Sequence, residues 1–367
     1  MQNEEFYPQH FRRTRPYTKE LLESLQEAYN RRALNPQLGH KLTGDIVLRY
    51  LVKGGANIQS PDFDMQGYAG ETQAALLYAQ WARSGSAVYA FNSNLAEALG
   101  ATSVGDVTIE DLKFPFECAY FHFGPLPGLN LASGQPVTGA FIQMAPGLAL
   151  RISLAAPMDS HAPWPTRYAE LYNLPILARH FDKDMETAIN EAVADDYRDI
   201  ESVAERTGKM PSAVGDARQR TIEAALSNLQ ANREVFIRYC NLIANALCYV
   251  TAYSDDIALK WQTATPEKLR AVAETGLPKK AANAVSKLNA MGYRRVHYVG
   301  EQFGQAVVQG EAGSVSPHWR RGHWRAQAHG PGFSLRKLKW LRPMRILGGQ
   351  TSDTPRVYAT TPPSDAS

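Results

Sequence analysis

From Ala213 to Tyr253 the chain carries no proline and repeats apolar residues at helical spacing. Ile222, Leu226, Leu229, Phe236, Cys240, Ile243, Leu247 and Val250 form one stripe. Val235, Tyr239, Leu242, Ala246 and Tyr249 form a second on the C-terminal half. A helix apolar on one side can lie on a surface, but one apolar on two sides must be covered twice. The segment is therefore predicted to be the scaffold of the second half of the protein, ending at Asp255-Asp256. Cys240 and Cys248 fall on it as packing thiols.

The 367 residues, 44% apolar and 20% charged, are enough for one large domain or two modest ones. The reading is an α+β chain. A mixed helical and β N-terminal domain spans 1–180, and a helical domain with a C-terminal basic β motif spans 181–349. A Pro-rich, disordered tail follows over 350–367. The residues up to Pro16 read as an arm, followed by a helix capped by Thr18. Helices are expected at 71–82 and over 88–99, where Val88, Phe91, Leu95 and Leu99 share a face. The aromatic run 114–123 favours a strand. Runs at 138–144 and 148–155 flank Ala145-Pro146-Gly147 as a hairpin. Turn-rich stretches at 125–128 and 157–175 read as loops walling a groove. Shorter helices at 265–276 and 279–291 and strands at 295–299, 305–308 and 335–347 complete the second half.

Three cysteines in apolar surroundings, Cys118, Cys240 and Cys248, argue against a disulfide framework and for a reducing compartment. The N-terminus lacks a signal-peptide pattern, and the apolar runs read as too short for a membrane span, so a cytoplasmic protein is expected. No Cys-x-x-Cys pair occurs. The carboxylates Glu186, Glu191, Asp195, Asp196 and Asp199 have no histidine at helical spacing and read as a solvated helix face. No metal and no cofactor is therefore expected. P-loop, dinucleotide, zinc-protease and nucleophile-elbow motifs are absent.

Chemistry concentrates in Ser316–Arg325, SPHWRRGHWR. His318 and His323, Trp319 and Trp324, and Arg320 and Arg325 are each five apart, with Arg321 and Gly322 between the copies. A bend at Gly322 would set two His-Trp-Arg units side by side. Guanidinium binds phosphate bidentately, indole offers a stacking face, and imidazole moves protons near neutral pH. The net charge is only +3, but between Arg294 and Arg345 ten arginines and lysines face just Glu301 and Glu311. That is the footprint of an anionic partner such as nucleic acid. Lys339 and Trp340 extend it on an alternating strand, where Leu338 and Trp340 face one side and Lys337, Lys339 and Arg345 the other. Glu301 is a lesser candidate.

With Lys339-Trp340 and the closing Ile346-Leu347-Gly348-Gly349, the segment Pro317–Trp324 resembles the C-terminal signature of a type V-A anti-CRISPR family. That family blocks biogenesis of the effector nuclease rather than the assembled enzyme. Phe116–Tyr120 resembles its cysteine-containing aromatic strand, 242–257 its long helix with an acidic end, and Gly300–Gly304 its step before the final region. The resemblance runs from about residue 70 to 349; residues 1–70 match nothing in it. It implies recognition of a nascent N-terminal peptide of the effector during translation, followed by loss of its mRNA. The partners would be a nascent polypeptide and the ribosome or mRNA, with no membrane. Phe116, Tyr120 and His122 are candidate peptide contacts. His318, Trp319, Arg320, Arg321, His323, Trp324, Arg325, Lys339 and Trp340 are candidate nucleic-acid or partner contacts.

Two other readings stand beside this non-enzymatic one. In a metal-independent ribonuclease, His318 and His323 would exchange protons while Arg320 or Arg321 held the phosphate. In a structural or interaction protein of a mobile element, the motif would only close a sheet.

Overall fold

The computed structural model describes 6–14, parts of 23–53, 57, 65–105, 107–112, 114–132, 134–145, 149–155, 171–208, 213–303, 318–320 and 322–346. In chain order the named helices are α1 (Tyr7–Thr14), α2 (Met65–Arg83), α3 (Ser93–Gly100), α4 (Met185–Gly208), α5 (Ala213–Ala252), α6 (Glu267–Thr275) and α7 (Pro278–Ala290). The strands are β1 (Ala87–Phe91), β2 (Thr102–Ser103), β3 (Cys118–His122), β4 (Gly139–Ala145), β5 (Ala149–Ala155) and β6 (Leu171–Leu177). They continue with β7 (Ile257–Trp261), β8 (Arg295–Val299), β9 (His318–Arg320), β10 (Gly322–His329), β11 (Leu335–Leu341) and β12 (Met344–Ile346). The architecture is α+β, organised on a seven-stranded mixed sheet of order β6-β5-β4-β3-β1-β8-β7.

β1 lies between two parallel neighbours, β3 and β8, and the other pairings in this sheet are antiparallel. Both faces of the sheet are covered. On one side α3, α4 and α5 pack on Phe121, Ile142, Ile152 and Leu174. On the other, Phe6, Phe11, Leu25, Val47 and the α2 residues Ala75, Leu77, Tyr78 and Trp81 pack on Val88, Tyr120, Phe141 and Val296. A smaller cluster of Trp261, Ala273, Ala284 and Leu288 ties α6 and α7 to the β7 edge.

α5 is the central helix that its two stripes predict. Tyr239, Cys240, Leu242, Ile243, Ala244, Ala246, Leu247 and Cys248 are all 0% exposed. Its segment Gln230–Ala252 has a mean hydropathy of 1.3, enough by length and composition for a membrane span, contrary to the expectation that no run reaches that length. Its burial is that of a core helix, covered by the sheet and by the C-terminal strands.

Several expectations are corrected. Pairing and packing run across residue 180: β1 pairs with β8, and α5 shares a cluster with β3, β4 and β5. The stretch 88–99 is a strand followed by a helix. Asn92 caps that helix, its Oδ1 accepting from the backbone N–H of Asn94 (2.9 Å) and Leu95 (3.4 Å). A three-and-four spacing across this junction imitates one continuous helix. Residues 7–14 are a helix with Tyr7 and Phe11 buried, rather than an arm. Of the expected groove wall, 157–170 lie outside the described residues, and Leu171–Leu177 are an edge strand. Pro175 is tolerated there because an edge strand leaves one row of N–H groups without a ladder partner. The expected strand at 305–308 and the tail also lie outside the described residues.

Candidate functional site

The C-terminal motif forms one ribbon. β10 pairs with β11 from His323↔Leu341 to His329↔Leu335, and β9 pairs with β12 from Arg320↔Met344 to His318↔Ile346 in the same register. Gly322 is thus not a bend between two copies of the motif. It is a point of close approach, where a Cβ would lie 2.7 Å from Pro343 Cδ, 2.8 Å from Thr102 Oγ1 and 2.9 Å from the Leu341 carbonyl oxygen. There β10 also pairs in parallel with β2. Side chains alternate along a strand with period two, so a spacing of five gives no reason for two residues to share a face.

Trp324 and Trp340 are opposite each other across β10 and β11, with rings 6.0 Å apart and 16° from parallel. They are 1% and 4% exposed. The Trp324 indole N–H donates to Asn245 Oδ1 at 2.8 Å, and that of Trp340 donates to Thr102 Oγ1 at 3.1 Å. Asn245 Nδ2 donates to the carbonyls of Thr102 and Asn241, both at 2.9 Å, and Thr102 Oγ1 donates to the Ala98 carbonyl at 2.8 Å. Buried indole N–H groups need such acceptors. Phe303 stacks on the outer side of Trp340 at 5.7 Å, with the Arg342 guanidinium 5.1 Å from the Phe303 ring centre. Sequence reasoning missed Asn245 and Thr102. The available signal was Asn245 itself, a polar residue set between Ala244 and Ala246 in the most apolar part of α5.

These anchors divide the predicted residues. Trp324 and Trp340 fix the hairpin to α5, so their rings cannot serve as stacking platforms for a partner. His323, Arg325 and Lys339 are exposed on the opposite face of the hairpin, with Gln327, His329 and Lys337. His318, Trp319 and Arg320 lie on β9, and neither their side chains nor Arg321 are among those described. Glu301 pairs with Lys260.

The candidate peptide strand proves to be mostly interior. Tyr120 is 0% exposed, and Phe116 packs partly buried on Tyr89 and Phe121. Tyr120 therefore cannot contact a peptide without unpacking the core. The His122 ring meets Phe6 edge-on at 4.9 Å, and burial pushes its pKa down to about 4. Burial likewise raises the Cys118 and Cys240 thiols to about 12, which keeps them protonated and inert. On α4, Asp195 pairs with Arg179 and Arg198, with His180 Nε2 3.3 Å away, and the Arg179 hydrogen bond holds its carboxyl below the usual range.

A cavity of about 580 Å³ opens between α1, α2 and the end of α7. Its lining includes Arg12, Arg13, Arg294, Tyr78, Trp81 and Gln262. Gln9 and Gln262 join across it at 2.6 Å, and Gln9 Nε2 also donates to the Gly292 carbonyl at 3.0 Å.

With this geometry in hand, the profile of the Anti-CRISPR type V subtype A2 family (AcrVA2-like) matches residues 89–347, well over half of the chain. The chain belongs to this family. The matched region holds the end of β1, α5, both hairpin strands and the whole Trp324–Asn245–Thr102–Trp340 network of this AcrVA2-like protein. The first wall of the cavity, from Pro8 to Trp81, lies before it. Among solved structures the chain is similar to the crystal structure of AcrVA2, with 11% identity, a TM-score of 0.38, and coverage of 89% of this chain and 94% of that one. A comparison with curated proteins found no match.

Proposed function

We propose that this anti-CRISPR family member acts on a type V-A effector while it is being made, recognising the nascent N-terminal peptide and causing loss of its mRNA. The observation that carries the reading is the rigid presentation of a basic surface. His323, Arg325, Lys337 and Lys339 stand exposed on a hairpin pinned to the core by two buried indoles. Such a surface suits the ribosome or a message. The peptide end of the task is assigned to the cavity between α1 and α7, whose arginines, paired amides and aromatic rings match a short mixed peptide. Nearly half of its lining precedes the family-matched region, which fits a target that differs between members.

The test is a reporter fused to the N-terminal coding segment of a candidate effector, with message followed in cells. Loss of message is expected only when the segment is translated, and Arg325→Ala/Lys339→Ala and Arg12→Glu are each expected to reduce it at least several-fold. Purified protein is expected to leave the same RNA intact. Cleavage by purified protein that disappears in His323→Ala would replace this reading with a metal-independent ribonuclease.

A further inference from the structure

Past the tryptophan pair the hairpin leaves the body of the protein, and residues 329–337 are exposed without a break. Arg325 stands directly opposite Lys339 across the strands. Like charges so paired destabilise a hairpin. The side chains of Arg325, Arg336, Lys337 and Lys339 have no hydrogen-bonded or ion-paired partner among the described residues. No Asp or Glu occurs between Glu311 and Asp353 to offset them.

The tip adds an aromatic. Phe333 is 74% exposed and has a positive φ of 56°, a conformation uncommon for a bulky residue. The turn that holds it is well formed. Phe333 N–H donates to the Gly330 carbonyl at 3.0 Å, and Ser334 Oγ donates to the Pro331 carbonyl at 3.0 Å. A solvated basic face accounts for neither the facing cations nor a large ring held in water. A chain of phosphates with accessible bases would complement both, whereas an acidic peptide complements only the charges. Duplexes keep their bases stacked inside, so the ring favours an unpaired strand.

We propose that residues 325–339 form an arm that binds single-stranded RNA. Arg325, Lys337 and Lys339 follow the phosphates along one face of the hairpin, and Phe333 stacks on an unpaired base at its tip. The choice of RNA over DNA rests on the translation-coupled function proposed above.

The test uses the full-length protein and a fluorescently labelled mixed-sequence RNA 20-mer. Anisotropy is compared with that of the same sequence as duplex RNA, the same sequence as single-stranded DNA, and a polyglutamate peptide. Wild-type protein is expected to bind single-stranded RNA in a salt-dependent way and more tightly than the duplex or the peptide. Phe333→Gly, which suits the backbone of the tip, is expected to weaken single-strand binding about 5- to 100-fold and leave any duplex binding nearly unchanged. Lys337→Gln/Lys339→Gln is expected to lower the salt slope by about 1.4, two phosphate contacts at about 0.7 each. No binding by wild-type protein at low salt, equal binding of polyglutamate, or an unchanged affinity in Phe333→Gly would overturn the arm. Equal affinity for single-stranded DNA would overturn the choice of RNA. The reporter assay separates the two proposals. Translation-dependent loss of message that survives Phe333→Gly would leave the nascent-peptide reading standing without this arm. RNA binding without any loss of message would do the reverse.

Discussion

A buried asparagine shows how single residues decide this structure. Asn245 accepts from one indole, donates to the Thr102 carbonyl and so fixes β2, β10 and α5 relative to one another. Asn245→Ala strands the Trp324 N–H and the Thr102 carbonyl in the core, with an expected loss of about 2–4 kcal/mol in urea unfolding. The tryptophan emission should shift red at low urea as the hairpin undocks. His122 gives a second test at this scale. Its folded pKa of about 4 lies below the unfolded value of 6.5, so between the two the unfolded chain binds a proton that the folded chain refuses. Its contribution to stability is full above pH 6.5 and is lost as pH falls through 4, at most about 3–4 kcal/mol at about 1.4 kcal/mol per unit. Urea midpoints from pH 7.5 to 4.5 should fall less steeply in His122→Gln. Some slope will persist, because burial also lowers the pKa of His297. An unchanged slope would assign the titration elsewhere.

Among elements, those with a long uniform period were legible in the sequence. α5 lies where its apolar stripes put it, and α6, α7 and the β4–β5 hairpin lie where the sequence places them. The alternation of Lys337, Leu338, Lys339 and Trp340 correctly separates the exposed from the covered face of β11. The misread elements are short or change period midway. β1 passes into α3 through a single capping residue, so two half-patterns read as one helix. β7 shows no alternation, since it is an edge strand partly exposed on both faces. Within the candidate site, charge was legible because it needs no fold to be counted. The roles of the tryptophans were not. An indole beside arginines suggests stacking on a partner, and only the packing reveals that it faces an asparagine on another element. Phe333 was overlooked for the opposite reason: an isolated aromatic between a turn and a basic run carries no pattern.

Taken whole, the molecule is built across its midpoint. Strand β1 of the large sheet takes its two neighbours from opposite halves of the chain, and α5 from the second half fills the core beneath strands of the first. Fragments 1–180 and 181–367 are therefore expected to be unfolded or aggregated when expressed separately. Co-expression should restore a complex with the tryptophan emission of the intact protein. Two independently soluble fragments with cooperative unfolding transitions would contradict the shared core. The division expected from sequence follows a change from mixed to helical composition, which records where elements fall along the chain and not which of them meet.

The position of β1 also sets a timetable for synthesis. One of its edges can be covered by β3 soon after it emerges, but the partner for the other edge follows roughly 200 residues later. At about 5–20 residues per second, that is about 10–40 s of translation with an apolar, aromatic strand edge open to any extended chain nearby. Until β8 arrives, this protein is itself a nascent chain with an unsatisfied partner. Its yield in the cell will depend on what shields Ala87–Phe91 during that interval.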